Sequence, residues 1–302
     1  MTIVRYRIIF YIFSGILFVA SIAAIAGYGM HYGIDFTGGA LIEAGFLKDR
    51  PAIDTIRTAL LNAGFPEARV QAAGERDVLV RIRTLDAAGH ERALSAIAGS
   101  PTPGTVLMEK RFDSIGPTIG AELRRKAYVA IALVLALILI FISWAFRQVS
   151  RPISSWKYAV TAIIALAHDV FLPAGMFAVL GHFYGVEADA LFITALLTVL
   201  GFSVHDTIVV FDRIRENLHK TPGEKFDAIV GRSVTETIGR SVATSFTVVL
   251  VTAALFWFGA EVTRYFALTL LVGVVVGTYS SIFLASPLLV TWNLWSEKRA
   301  AR

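Results

Sequence analysis

Six stretches of this chain are long and apolar enough to cross a lipid bilayer, and they restrict the fold before any other feature does. They run over Ile8–Tyr28, Ala127–Phe146, Tyr158–Leu180, Ala190–Phe211, Val242–Phe258 and Phe266–Val290. About 20 residues of α-helix span the hydrocarbon, where every backbone N–H and C=O must find its partner inside the element. The predicted class is an α-helical polytopic membrane protein with six transmembrane helices. Composition agrees: 56% of the 302 residues are hydrophobic, and the mean hydropathy is +0.65. The net charge of +5 would suit a nucleic-acid partner, but the basic residues sit at the ends of the apolar stretches. Membrane topology accounts for them, and no nucleic acid is implied. The chain has no cysteine, which excludes disulfides, thiolate metal sites and a cysteine nucleophile. The first stretch follows Arg5 and Arg7 and contains Ala24-Ile25-Ala26, a faint cleavage signal. Its length exceeds that of a signal-peptide core, so it reads as an uncleaved span.

Residues 31–126 differ in kind. Charges, Gly and Pro return, and the periodicities are short. Leu41–Leu47 reads as a strand. Ile53, Ile56, Ala59 and Leu60 recur at helical spacing and stop before Gly64-Phe65-Pro66. Ala68–Ala72 is a weak strand. Val78, Val80 and Ile82 alternate with Leu79, Arg81 and Arg83 as in a half-buried strand. Asp86 can cap a helix reaching Ala98, with Leu94 and Ile97 inward, and Thr105–Phe112 is a last strand. The order β-α-β-β-α-β predicts one α+β ferredoxin-like domain inserted between helices 1 and 2. The domains expected are therefore 1–30, 31–126 and 127–302.

Two glycine-rich motifs bound that insert. Gly33-Ile34-Asp35-Phe36-Thr37-Gly38-Gly39 opens it and Ile115-Gly116-Pro117-Thr118-Ile119-Gly120 closes it. Glycine allows tight turns and close backbone approach. A phosphate loop would need a preceding strand and a Lys-Ser/Thr ending, and neither is present. The motifs read as joints between domain and membrane, carried by Gly33, Asp35, Gly38, Gly39, Gly116, Pro117 and Gly120.

Loop charges set the orientation. Arg147, Arg151 and Lys157 separate spans two and three; Arg213, Arg215, Lys220, Lys225 and Arg232 separate four and five; Lys298, Arg299 and Arg302 form the tail. The opposite loops carry Glu187, Asp189 and Glu261, with Arg264 as their one base. Both termini are predicted cytoplasmic and residues 31–126 extracytoplasmic. Arg124-Arg125-Lys126 runs against the rule, which a long translocated domain tolerates.

Inside the spans, polar residues stand out. Leu196–Asn217, LLTVLGFSVHDTIVVFDRIREN, is apolar until His205 and Asp206 and turns charged at Asp212. At ~1.5 Å per residue Asp206 lies roughly 9 Å inside that boundary. An acid there is costly unless it faces other helices or a wet cavity, so it is a functional candidate by default; the plainer alternative is an acid that bonds helices together. Arg240, at the near end of antiparallel span five, can match its depth, with Thr237, Ser241, Thr244 and Thr247 on or near the same face. His168-Asp169 is a second polar pair in span three; its two side chains leave the helix about 100° apart and are expected to act separately. Pro173 offers a kink just beyond. No i, i+4 ligand pair exists among these residues, so no metal is expected, and no nucleotide or other cofactor site is visible. Ser203 and His205 face apart, which gives no nucleophile–base pair. Gly273, Gly277, Ser281 and Ala285 form a small-residue stripe for helix packing on span six.

Several of these blocks together resemble the SecF branch of the SecD/SecF family, itself part of the RND superfamily. They are Gly33–Gly39, Ile115–Gly120, Ala167-His-Asp-Val170, Leu196–Asn217, Glu236-Thr-Ile-Gly-Arg240 and Gly277-Thr-Tyr-Ser-Ser281. They cover essentially the whole chain in order. The resemblance implies a non-enzymatic accessory subunit of protein export that uses the proton motive force. It implies SecD, the SecYEG translocon, a YajC-like subunit and the unfolded translocating polypeptide as partners, in the bilayer of the bacterial inner membrane. By motif, the family's membrane acid and arginine fall on Asp206 and Arg240; His205, Asp169 and His168 complete the expected proton relay. His205 departs from the pattern, since many relatives carry Asn there. Two other readings are a purely structural assembly subunit and half of a small-molecule RND exporter, for which the 31–126 domain is small.

Overall fold

The computed structural model describes residues 2–47, 49–83, 85–99, 107–147 and 154–300. The chain divides into two compact units, Tyr32–Tyr128 and Met1–His31 with Val129–Arg302.

The smaller unit is built on a four-stranded antiparallel sheet of order β2-β3-β1-β4, from β1 (Gly39–Phe46), β2 (Arg69–Ala73), β3 (Asp77–Ile82) and β4 (Leu107–Ile115). Thr105, where the last strand was expected to begin, lies outside the described residues. β1 occupies the centre, pairing Ala40 with Ile82 on one side and Gly39 with Ile115 on the other. The alternation in β3 turns Val78, Val80 and Ile82 into the core. There they meet Ile56 and Leu60 of α4 (Ile53–Asn62) and Ala93 and Ile97 of α5 (Ala87–Ala98). Asp86 caps α5 by accepting from the Gly89 N–H at 2.7 Å, which satisfies one of the four donors a helix start leaves open. A four-residue helix α3 (Ile34–Thr37) precedes β1.

The larger unit holds helices α1 (Thr2–Arg5), α2 (Arg7–Tyr28), α6 (Pro117–Ala145, whose first turns belong to the smaller unit), α7 (Ser155–Tyr184), α8 (Ala190–Lys220), α9 (Phe226–Phe258), α10 (Glu261–Ser280) and α11 (Ser286–Ala300). α10 and α11 are joined by a π turn, Ser281–Ala285, so the last span is one helical rod from Val262 to Arg299. Six helices are thus long and apolar enough to cross a membrane. Several exceed their apolar stretches: α8 continues nine residues past Phe211, through the charged run to Lys220. α7 passes through Pro173 as a single helix. Arg151 and Arg302, used above for orientation, lie outside the described residues.

α7, α8 and the last span form the packed centre, with half or more of each apolar window buried, whereas α2 and α6 have 6% buried. An aromatic knot of Phe146, Tyr158 and Phe211 ties α7 to α8. Small residues set the closest crossings. A Cβ on Gly273 would lie 2.2 Å from Val199 Cγ2, and one on Gly277 would lie 3.0 Å from Ser203 Cβ. The stripe on the last span therefore lies against α8. Gly175 of α7 meets Ser21 of α2 in the same way, at 2.5 Å.

Candidate functional site

Asp206 sits on the inner face of α8, 6% exposed. The heptad-like spacing of Leu196, Val199, Ser203, Asp206, Val210 and Asn217 turns all of them inward. The Asp206 carboxylate accepts two hydroxyls from two other helices. Ser241 of α9 donates to Oδ1 in a very short bond, and Ser281 of the π turn donates to Oδ2 at 2.5 Å. Among the described residues no lysine or arginine forms an ion pair with it. Arg240, expected from sequence as its counter-charge, is exposed on α9. The reason is rotation: one residue further along the helix turns ~100° inward, so Ser241 and not Arg240 meets the acid. His205 is likewise exposed while its neighbour Asp206 is buried.

The second acid behaves against expectation. His168 and Asp169 are both buried, at 3% and 0% exposure, and they do form one unit: His168 Nδ1 lies 3.0 Å from Asp169 Oδ1. Their Cα–Cβ directions diverge, but a ring nitrogen two bonds beyond Cβ swings back over the adjacent carboxylate. Asp169 Oδ2 accepts from Ser203 of α8 at 2.5 Å and from Ser280 of α10 at 2.7 Å. His168 Nε2 is buried without a partner, beside the rings of Phe18 and Tyr279. Consecutive residues Ser280 and Ser281 thus hold the two intramembrane acids.

Of the four α9 hydroxyls expected on this face, Thr237 and Ser241 turn inward and Thr244 and Thr247 do not. Ser245 and Thr252 are buried as well. Ser245 is in very short hydrogen-bond contact with Thr278 of α10 and donates to the Ser241 carbonyl at 2.8 Å.

Where α8 and α9 turn back on each other, a second polar network locks their ends. Arg213 Nε donates to Glu236 Oε2 at 2.6 Å and Arg213 Nη1 to Glu216 Oε2 at 2.5 Å. Asn217 Nδ2 donates to both Glu236 and Ser233 at 2.9 Å. Sequence reasoning had Arg213 only as a loop charge, and Asn217 and Glu236 only as ends of motifs. The signal available was their co-occurrence at the apolar-to-charged boundary of two consecutive helices.

The glycine motifs meet within the smaller unit. A Cβ on Gly38, at φ 72°, would lie 2.7 Å from Pro117 Cα, and one on Gly120 would lie 2.7 Å from the Gly38 nitrogen. Gly39 has φ 131°, a region glycine alone tolerates well, and a Cβ there would stand 3.0 Å from the Ile82 carbonyl. Gly33 caps α3, and Thr37 Oγ1 donates to the Gly33 carbonyl at 3.0 Å. Asp35 lies in the first turn of α3. Gly116 has open space around it, so its lack of a side chain is not required by packing. Tyr32 and Tyr128, at the two ends of the unit, hydrogen-bond at 3.2 Å.

Among the described residues no group of three or more metal-ligating side chains is assembled. A cavity of about 480 Å³ lies in the smaller unit beside Phe46, Arg76, Asp77 and Lys110, and neither acid lines it.

Comparison with known proteins gives these contacts a setting. Residues 103–295 match the family model for protein export membrane protein SecD/SecF, C-terminal, and residues 23–46 match the SecD/SecF GG motif. The protein translocase subunit SecF of Thermobaculum terrenum is 45% identical over 302 residues, which is 96% of this chain and 93% of the relative. The protein translocase subunit SecDF of Thermus thermophilus is 37% identical over 94% of this chain but only 37% of the relative. The crystal structure of SecDF, a translocon-associated membrane protein from that organism, matches with a TM-score of 0.83 at 35% identity, over 97% of this chain and 38% of that one. The match thus spans most of that SecF relative and well under half of SecDF. The chain belongs to the SecF branch of the SecD/SecF family of protein export membrane proteins.

Proposed function

We propose that this subunit assists protein export in the bacterial inner membrane by coupling proton movement at Asp206 to motion of residues 32–128. The observation that carries the reading is Asp206 itself, an acid within an apolar span, held among the described residues by the hydroxyls of Ser241 and Ser281. A charge that crosses 100 mV of membrane potential releases ~2.3 kcal/mol, enough to bias a conformational step. In this reading Asp206 binds and releases the proton, His168 and Asp169 extend the relay, and Arg240 and His205 change partners as it moves.

The partner is read as SecD. In the SecDF relative, one chain carries what this protein carries and much more, which supports a second half beside this one. The outer faces of α8 and α9 support the same view. They expose His205 and Arg240 together with Thr194, Thr198, Thr244 and Thr247, on spans otherwise fit for lipid. A guanidinium bare in lipid costs about 2.5–3.5 kcal/mol or more, so these faces are read as the seat of another protein. SecYEG, a YajC-like subunit and the exported chain complete the assembly. Residues 32–128 are read as an extracytoplasmic ferredoxin-like domain: their strand order and two core helices support it, as do the loop charges for its side.

The deciding experiment is protein export into vesicles with and without a proton gradient, at matched protein levels. Asp206→Asn keeps the size of the side chain and removes its titration; it should abolish gradient-dependent stimulation while partner binding persists. Arg240→Met should impair the same step. Full stimulation by Asp206→Asn would make the acid a structural one. The orientation has its own check. A cysteine at Arg76 should react with an impermeant thiol reagent from outside spheroplasts and one at Lys220 should not; reversed labelling would overturn it.

A further inference from the structure

Two acids on different helices are held by neighbouring residues of one backbone. Ser280 donates to Asp169 and Ser281 donates to Asp206. They stand where α10 passes into the π turn, a form of helix concentrated at functional positions. Each hydroxyl has one hydrogen and two acceptors within reach. For Ser280 the alternative to Asp169 is the Gly277 carbonyl at 3.1 Å; for Ser281 the alternative to Asp206 is the Thr278 carbonyl at 3.0 Å. Either serine can therefore turn its hydrogen back onto its own helix and accept from the acid instead. The carboxyl can then be protonated with no heavy atom displaced. The Ser286 hydroxyl donates to the Ser281 carbonyl at 2.9 Å, across the π turn.

We infer that Asp169 and Asp206 form a single proton-sharing pair in which Ser280 and Ser281 are the positioning residues. Ser203, which donates to Asp169, lies three residues and so one helical turn before Asp206 on the buried face of α8, and like charges that share a dry site do not ionise independently. The groups facing the pair from each packed element are few. α7 supplies His168, on Asp169; α10 supplies Tyr279, beside the His168 ring; α2 supplies Phe18 on the same ring; α9 supplies Ser241, with Arg240 turned outward; α8 supplies Ser203, with His205 turned outward. Among the described residues, the buried polar atom of this group left without a partner is His168 Nε2. A proton received there makes His168 a cation beside Asp169, so the net charge of His168 and the two acids rises by one.

This inference rests on Asp206 being the titrating group of the proposed function, and its test is separate from export. The carbonyl stretch of protonated Asp206 can be isolated by infrared difference against Asp206→Asn, in the reconstituted complex purified with its partner. Its intensity is followed from acid to neutral pH. Interacting acids titrate with apparent values that belong to the pair. Asp169→Asn should shift the Asp206 midpoint by about tenfold or more in proton concentration, the size of coupling at which two sites no longer titrate independently. Ser280→Ala should shift it in the same assay, and Ser280→Thr, which restores the hydroxyl, should return it. An Asp206 midpoint that Asp169→Asn leaves unmoved overturns the pair; a shift that Ser280→Thr fails to reverse overturns the positioning role. If the pair titrates as described while Asp206→Asn still supports full gradient-driven export, the proposed function fails and the pair stands.

Discussion

The two units differ in what they bury beside their apolar cores and in what they leave outside. In the Tyr32–Tyr128 unit the buried side chains are apolar: Ile42, Ile56, Leu60, Val78, Val80 and Ile97 are closed off completely. In the other unit the interior holds Asp169, Asp206, His168, Asn217 and a series of serines and threonines, while Ile8, Ile16, Val129, Phe246 and Trp257 lie outside. Every buried polar or charged side chain among the described residues belongs to that second unit. The solvent explains the difference. Water drives apolar groups inward. Lipid gives them no reason to leave the surface, so helices associate through close contact of small residues and through hydrogen bonds. The polar interior is therefore also part of what packs the helices.

That contrast can be broken by mutation at both ends. The largest effect is expected from Gly273→Leu, because even a first carbon at this site falls 2.2 Å from Val199. Loss of the folded membrane unit should appear as loss of monodisperse protein in detergent. Normal yield would show that the close crossing does not hold the helices together. Next, Leu60→Ala should cost the smaller unit about 2–5 kcal/mol, the usual result of emptying a water-driven core. Faster amide exchange across β1 and β3 in the intact protein would register it. Asp86→Ala should cost about 1 kcal/mol by removing the cap on α5, with faster exchange confined to that helix. Smallest of the four, Ser203→Ala should cost only about 0.6 kcal/mol of membrane-unit stability, the average for a hydrogen bond between spans. A loss as large as that from Leu60→Ala would mean that the Asp169 site, and not the glycine crossings, anchors the bundle. Thermal unfolding in detergent compares them.

The same contrast shows why some features are legible in sequence and others are not. Apolar length announces the six spans, and alternation announces β3, because both are properties of consecutive residues. Asp86 announces its own helix for the same reason. The partners of Asp206 are a different kind of fact. Ser241 and Ser281 are 35 and 75 residues away and are brought to it by the rotation of two other helices. Depth alone makes Arg240 an equal candidate; one step of helical rotation separates it from Ser241. The union of His168 with Asp169 depends on a side-chain torsion, which Cβ directions do not reveal. The π turn that aligns Ser280 with Ser281 has no residue signature of its own.

The meeting of Gly38 with Pro117 and Gly120 bears on how the smaller unit withstands force. β1 and β4 are adjacent antiparallel strands, and the chain enters at Gly39 and leaves at Ile115, directly opposite each other. A load applied between those two points would open such a pair like a zipper, one rung at a time, the weakest way to pull a sheet. The interlocked backbones at Gly38, Pro117 and Gly120, with the Tyr32–Tyr128 bond at the ends, stand in front of the first rung. Any pull reaching the sheet through its two ends must first separate that contact, so the unit can move as one body under tension without starting to unfold.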